Sequence, residues 1–149
     1  MTLRRLEARG QIEKVKVDRK HVASNLDRAR RDIVTAKANL DIDEEWTYAI
    51  AYHAMLRAGR ALMFASGYRP KGKDQHKTVV EFSAEMLGGE FKNLVNRFNR
   101  MRIKRHDFIY DTEKPIPRTE AVHSLESAEQ FVKEITARIE GTASQKKMI

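Results

Sequence analysis

The chain has no cysteine, three prolines and one tryptophan in 149 residues. Without thiols it forms no disulfide, no zinc-thiolate site and no cysteine nucleophile, and an intracellular setting is the simplest expectation. No apolar run approaches the roughly 18 residues of a membrane span, and the basic start MTLRRLEARG has no apolar stretch behind it, so a cytoplasmic location is expected. His-x-x-x-His, His-Glu-x-x-His and acidic calcium-loop patterns are all missing, so no metal site is expected. The Gly-rich phosphate loops and Gly-x-Ser-x-Gly are missing too, and no cofactor is expected. What the chain has in excess is positive charge: 29 Lys and Arg against 21 Asp and Glu give a formal +8, which favours polyanions such as RNA or nucleotides, or an acidic protein partner.

One domain is expected at this length. Residues 1–17 read as a short helix and connector; IEKVKVD is extended or irregular. Its basic residues suggest a nucleic-acid arm, but Glu7 and Glu13 favour a plain solvated segment. From the N-cap residue Asp18, the positions Val22, Leu26, Ala29, Ile33, Ala36 and Leu40 recur at alternating spacings of four and three, one stripe of an amphipathic helix. Asp43 with Glu44 and Glu45 opens a second long helix that runs to Ser66, with Gly67 behind it. Its middle, AIAYHAMLRAGRALMFA, is apolar or small on nearly every side, as suits the centre of a bundle. YRPKGKD reads as a cationic loop. A shorter helix follows from about Asp74 to Leu87, ended by Gly88 and Gly89.

Another helix begins near Glu90, with Phe91, Leu94, Phe98 and Met101 on one stripe. After two prolines, Thr119 and Glu120 begin the last helix, which Gly141 is expected to close; residues 142–149 read as a flexible tail. With no long alternation and no internal repeat, the fold class is all-α: an up-and-down four-helix bundle over 18–141 with an additional short helix.

Extending the stripe of the fourth of these helices beyond Met101 brings Arg105 and then Phe108 to inward positions. A buried guanidinium needs a carboxylate partner or an anionic ligand, so Arg105 marks a cationic hollow; Arg102 and His106 share its helical edge. Arg97, Arg100 and Lys104 read as a solvated basic face. His53, inside the apolar helix, reads as a hydrogen-bonded core histidine, Trp46 as core packing or a dimer contact, and His21, His76 and His123 as isolated residues.

The order of AIAYHAMLRAGRALMFASG, a cationic loop, a short helix and then MRIKRHDFIYD resembles the HEPN family (higher eukaryotes and prokaryotes nucleotide-binding) from about Gly10 to Gly141. AYHAM…AGRALM is similar to that family's small-plus-aromatic helix, and R-x-x-R-H-D-x-x-Y-D to its signature end. The resemblance implies a helical bundle, a homodimer and binding of nucleotides or RNA. It also implies a toxin-antitoxin ribonuclease or a partner of a minimal nucleotidyltransferase. Mapped on the family's motif, Arg105 takes the arginine, His106 the polar position, and Tyr110 stands where the catalytic histidine is expected. Tyrosine, with a reference pKa of about 10, is a poor base at neutral pH. A looser spacing pairs Arg100 with His106.

The implied catalytic set is therefore Arg105, His106, Tyr110 and Arg102, with His106 as the base on a ribose 2′-hydroxyl and Arg102 or Arg105 stabilising the phosphorane in metal-free cleavage. The implied binding set is Arg97, Arg100, Lys104 and Asp107. In another branch of the family a tyrosine near the arginine and histidine is nucleotidylated by the partner enzyme; there it lies two residues after the histidine, whereas Tyr110 lies four after His106. The alternative is a non-catalytic dimeric module that docks an acidic protein partner.

Overall fold

A computed structural model describes the backbone of residues 2–110 and 115–148 and the side chains of residues 2–107 and 115–141. Among the described residues the helices are α1 (Leu3–Ala8), α2 (Arg19–Asn39), α3 (Glu44–Ala65), α4 (Gln75–Leu87), α5 (Lys92–Tyr110) and α6 (Arg118–Met148). The architecture is the expected all-α bundle: α2, α3, α5 and α6 are its main helices and α4 is the additional short one.

The start signals work as their chemistry requires. The Asp18 carboxylate accepts from the backbone N–H groups of Lys20 (3.0 Å) and His21 (3.4 Å), and the Asp43 carboxylate accepts from Trp46 N–H (3.1 Å). α3 is central because it is buried on almost every side, and it packs against α2, α4, α5 and α6. Its small residues set the spacing to its neighbours: a Cβ added at Gly59 would lie 2.5 Å from Val79 Cγ1 on α4 and 3.8 Å from Phe98 Cε2 on α5. Phe98 then ties three helices together, its ring centroid 5.9 Å from Tyr52 on α3 and 4.9 Å from Phe131 on α6. Such aromatic pairs add about 0.5–1.5 kcal/mol each beyond their buried area. Thr47, fully buried at the start of α3, donates to the carbonyl of Ala36 at 2.9 Å and fastens α3 to the end of α2.

Three local features differ from the sequence reading. Ile12–Lys14 (β1) pairs antiparallel with Tyr68–Pro70 (β2), so part of the expected cationic loop is a strand, with Glu13 opposite Arg69 and ion-paired to it. A three-residue strand has no alternation long enough to detect, and Pro70 is tolerated because the ribbon has only edges. Leu6 and Ile12, within the segment read as plain and solvated, are buried in the common core. Finally, α6 passes through Gly141 and continues to Met148, beyond the point where that glycine was expected to end it.

Candidate functional site

The basic segment of α5 divides by helical geometry. At about 100° per residue, Arg97, Arg100, Lys104 and Asp107 turn to one side, and Arg102 and Arg105 turn with Phe98 to the other. The first group lines a groove of about 560 Å³ against α6, together with Tyr48, Glu120 and His123. Lys104 is ion-paired with Glu120 there, Arg100 and Asp107 are exposed, and Arg97 is half-buried. The expected solvated basic face is thus a groove wall with one of its cations neutralised. The structure does not bring this group together with Arg105.

Arg105 is half-buried, and among the described residues it is not locked to an acid. Its Nη2 donates to Nε2 of His53 on α3 at 3.4 Å, and its Cζ lies 5.6 Å from the ring centroid of Tyr52, within cation–π range. Among the described residues its buried Nε has no hydrogen-bond partner and the side chain makes no salt bridge. Since a guanidinium can only donate, His53 accepts through Nε2 and carries its proton on Nδ1. Burial, then the charges of Arg105 and Arg57, lower the His53 pKa from 6.5 to about 4, which keeps this imidazole neutral at pH 7.

Behind this contact lies His76 of α4, whose Nδ1 is 2.9 Å from the Tyr52 hydroxyl. Burial and the charges of Arg60, Arg105 and Arg102 push the His76 pKa down as well. Burial also raises the Tyr52 pKa to about 12, against the opposing pull of Arg105, Arg102 and Arg60, so the phenol keeps its proton. Arg102 donates from Nε to Asn99 Oδ1 at 3.1 Å. His106 is exposed beside this edge. Tyr110 ends α5, and its side chain lies outside the described residues, as does that of Phe108.

In front of Arg105 opens a pocket of about 280 Å³, lined by Asp32, Trp46, Ala49, Ile50, His53, Arg57 and Arg105. Asp32 and Arg57 are joined by a 3.0 Å ion pair. Burial nevertheless raises the Asp32 pKa, outweighing the cations around it. Arg57 therefore balances the Asp32 carboxylate in the pocket wall, and among the described residues no carboxylate does the same for Arg105.

Three readings from sequence are revised here. His53 has a hydrogen-bond partner, as a core histidine would, but it is half-buried on a pocket wall and its partner is Arg105. His76, isolated in sequence, is folded against Tyr52. Trp46 is not core: 58% of its surface is exposed. The signal that could have exposed this site is the spacing of Trp46, Ala49, Ile50, His53 and Arg57, a single stripe along α3 that mixes apolar and polar residues.

A larger groove of about 710 Å³ lies between α2, α3 and the 138–141 stretch of α6, walled by Val22, Leu26, Leu62 and Ile139. Two of its arginines serve the protein itself: Arg30 pairs with Asp27 at 3.0 Å, and Arg138 donates to the carbonyls of Met86 (3.0 Å) and Leu87 (3.3 Å). Among the described residues no group of three or more His, Asp or Glu could hold a metal ion, and no helix is long and apolar enough to cross a membrane.

Fold and site together define a helical-bundle protein with a cationic pocket between α3 and α5. The family model of the HEPN domain matches residues 22–139, and the chain belongs to the HEPN family. At the level of the family, membership supports nucleotide or RNA binding as the type of function. A search of curated proteins finds no match.

Proposed function

We propose that this protein binds RNA through a phosphate held at Arg105, as a homodimer whose two α5 helices line a shared electropositive cleft. The observation that carries this reading is the half-buried Arg105 guanidinium, with a neutral histidine as its acceptor, a tyrosine ring under it and no salt bridge among the described residues. Arg102 and Arg60 add positive potential around it. Such a site gathers polyanions and releases them as salt rises.

The test is binding of labelled single-stranded RNA, followed by anisotropy at several salt concentrations. Arg105→Ala weakens binding roughly ten- to hundredfold, the range for a charged hydrogen-bonding group, while circular dichroism shows the bundle intact. Equal affinity in wild type and variant removes this pocket from consideration.

The finer reading is a toxin-type, ribonuclease-like component. A base takes the proton of a ribose 2′-hydroxyl, the oxygen attacks the adjacent phosphorus, and the 5′-oxygen leaves with a proton. His106 serves as the base, and Arg102 or Arg105 stabilises the phosphorane. Incubation with total RNA in EDTA tests this: cleavage lost in His106→Ala supports the enzyme. Binding without cleavage supports instead a non-catalytic module that docks an acidic partner such as a minimal nucleotidyltransferase, the reading favoured by Tyr110 at the family's histidine position.

A further inference from the structure

Trp46 is the anomaly of the pocket. Tryptophan is highly buried on average, yet this one, on the first turn of α3, leaves 58% of its surface exposed while forming one wall of the cavity that ends at Arg105. Its position is firm: the backbone N–H of Trp46 donates to the Asp43 carboxylate at 3.1 Å, fixing the turn that carries the indole. Trp46 and His53 are separated by two helical turns, about 10 Å along the axis, with Ala49 and Ile50 between them. The pocket thus has an aromatic face at one end, a short apolar floor and a guanidinium at the other end. Its volume of about 280 Å³ lies at the small end of ligand pockets.

From this arrangement we infer that Trp46 is a stacking platform for the base of one unpaired nucleotide of single-stranded RNA, whose phosphate is the anion held at Arg105. The inference rests on the RNA-binding reading and adds to it which part of the RNA is recognised. A base in a duplex is covered on both faces, so only an unstacked base can lie against the indole, and single strands are preferred over duplexes. Stacking on an aromatic ring tolerates any base because every base has a π-face, so Trp46 gives strand selectivity rather than sequence selectivity. The exposed Ile42 (80%), four residues before Trp46 in the chain, would instead suit a subunit contact that includes the indole, so the experiment reads oligomeric state as well.

Trp46 is the single tryptophan of the chain, so its fluorescence reports this position alone. The full-length protein is titrated with a labelled six-nucleotide oligoadenylate, reading tryptophan emission and label anisotropy together, and separately with inorganic tripolyphosphate as a base-free polyanion. The expected result is saturable quenching that tracks the anisotropy. Trp46→Ala should lose about five- to hundredfold in affinity for the oligonucleotide and keep its affinity for tripolyphosphate; Trp46→Phe should restore most of the loss. Arg105→Ala should weaken both ligands. Binding without quenching, or unchanged oligonucleotide affinity in Trp46→Ala, overturns the stacking role and leaves the phosphate site standing. A change of oligomeric state in Trp46→Ala makes the indole a subunit contact and also overturns it. A wild-type protein that binds neither ligand refutes the RNA-binding reading and this inference with it.

Discussion

Gly59→Ala should destabilise the protein even though alanine is the better helix former. In α3 the exchange gains about 1 kcal/mol from backbone entropy and helix propensity. Against it stands a Cβ placed 2.5 Å from Val79 Cγ1 and 3.2 Å from Ser83 Oγ. Carbon atoms rest about 3.5–4.0 Å apart, so α4 has to retreat by about 1 Å. Neither neighbour yields easily: Val79 is fully buried and β-branched, and Ser83 Oγ is tied to the Val79 carbonyl at 2.8 Å. Overpacking of this kind costs about 1–3 kcal/mol, so the net loss is about 1 kcal/mol, or about 2–4 °C in Tm for a domain of this size. The control is the same exchange in a Val79→Ala background, where the opposing methyl groups are gone and Gly59→Ala should become neutral or stabilising. Urea denaturation of the four proteins gives the coupling directly. Because α4 carries His76, the displacement should also stretch its 2.9 Å contact with Tyr52 and move the His76 pKa back toward its ordinary value. A Gly59→Ala protein more stable than wild type, or one that loses as much stability in the Val79→Ala background, would refute the packing argument.

Two further predictions concern the site and its frame. His53 has a folded-state pKa of about 4 against 6.5 unfolded, so the unfolded chain binds more protons between these values. Its contribution is therefore complete above about pH 6.5 and declines as the pH falls toward 4. The urea midpoint should follow that course, and His53→Gln should flatten it only in part, because His76 is shifted in the same direction. An unaltered slope in His53→Gln would contradict the assignment; in Arg105→Ala, NMR titration should show the His53 pKa raised but still below 6.5, since burial is its first cause. Asp43→Ala removes the acceptor for Trp46 N–H and a charge at the start of α3, and should cost about 1 kcal/mol of stability by denaturant titration. A midpoint equal to wild type would show that the cap contributes nothing there.

The local signals and the long-range ones behaved differently in this chain. Helix starts at Asp18 and Asp43, the apolar stripes of α2 and α5 and the all-round burial of α3 all depend on residues within a few turns of each other, and side-chain chemistry in that range is written in order along the chain. The inward register of Arg105 belongs to the same kind, because it continues the stripe of Leu94, Phe98 and Met101. What surrounds that guanidinium does not. His53 lies 52 positions earlier, and His76 comes from a third helix. Which way Trp46 faces depends on how α3 sits against its neighbours. The pairing of Glu13 with Arg69 across 56 positions and the passage of α6 through Gly141 depend likewise on contacts that no short window contains.

The sequence alone therefore determined the helices, their buried faces and a positive charge at an inward position, since each follows from periodicity and capping within one element. Only the packing of α3 against α4 and α5 decided that this charge meets a neutral histidine and the ring of Tyr52 beside an open pocket with an exposed indole. That decision is made by side-chain volumes at close approaches such as Gly59 to Val79, where the distance between two helices, and not the pattern along either, sets the outcome.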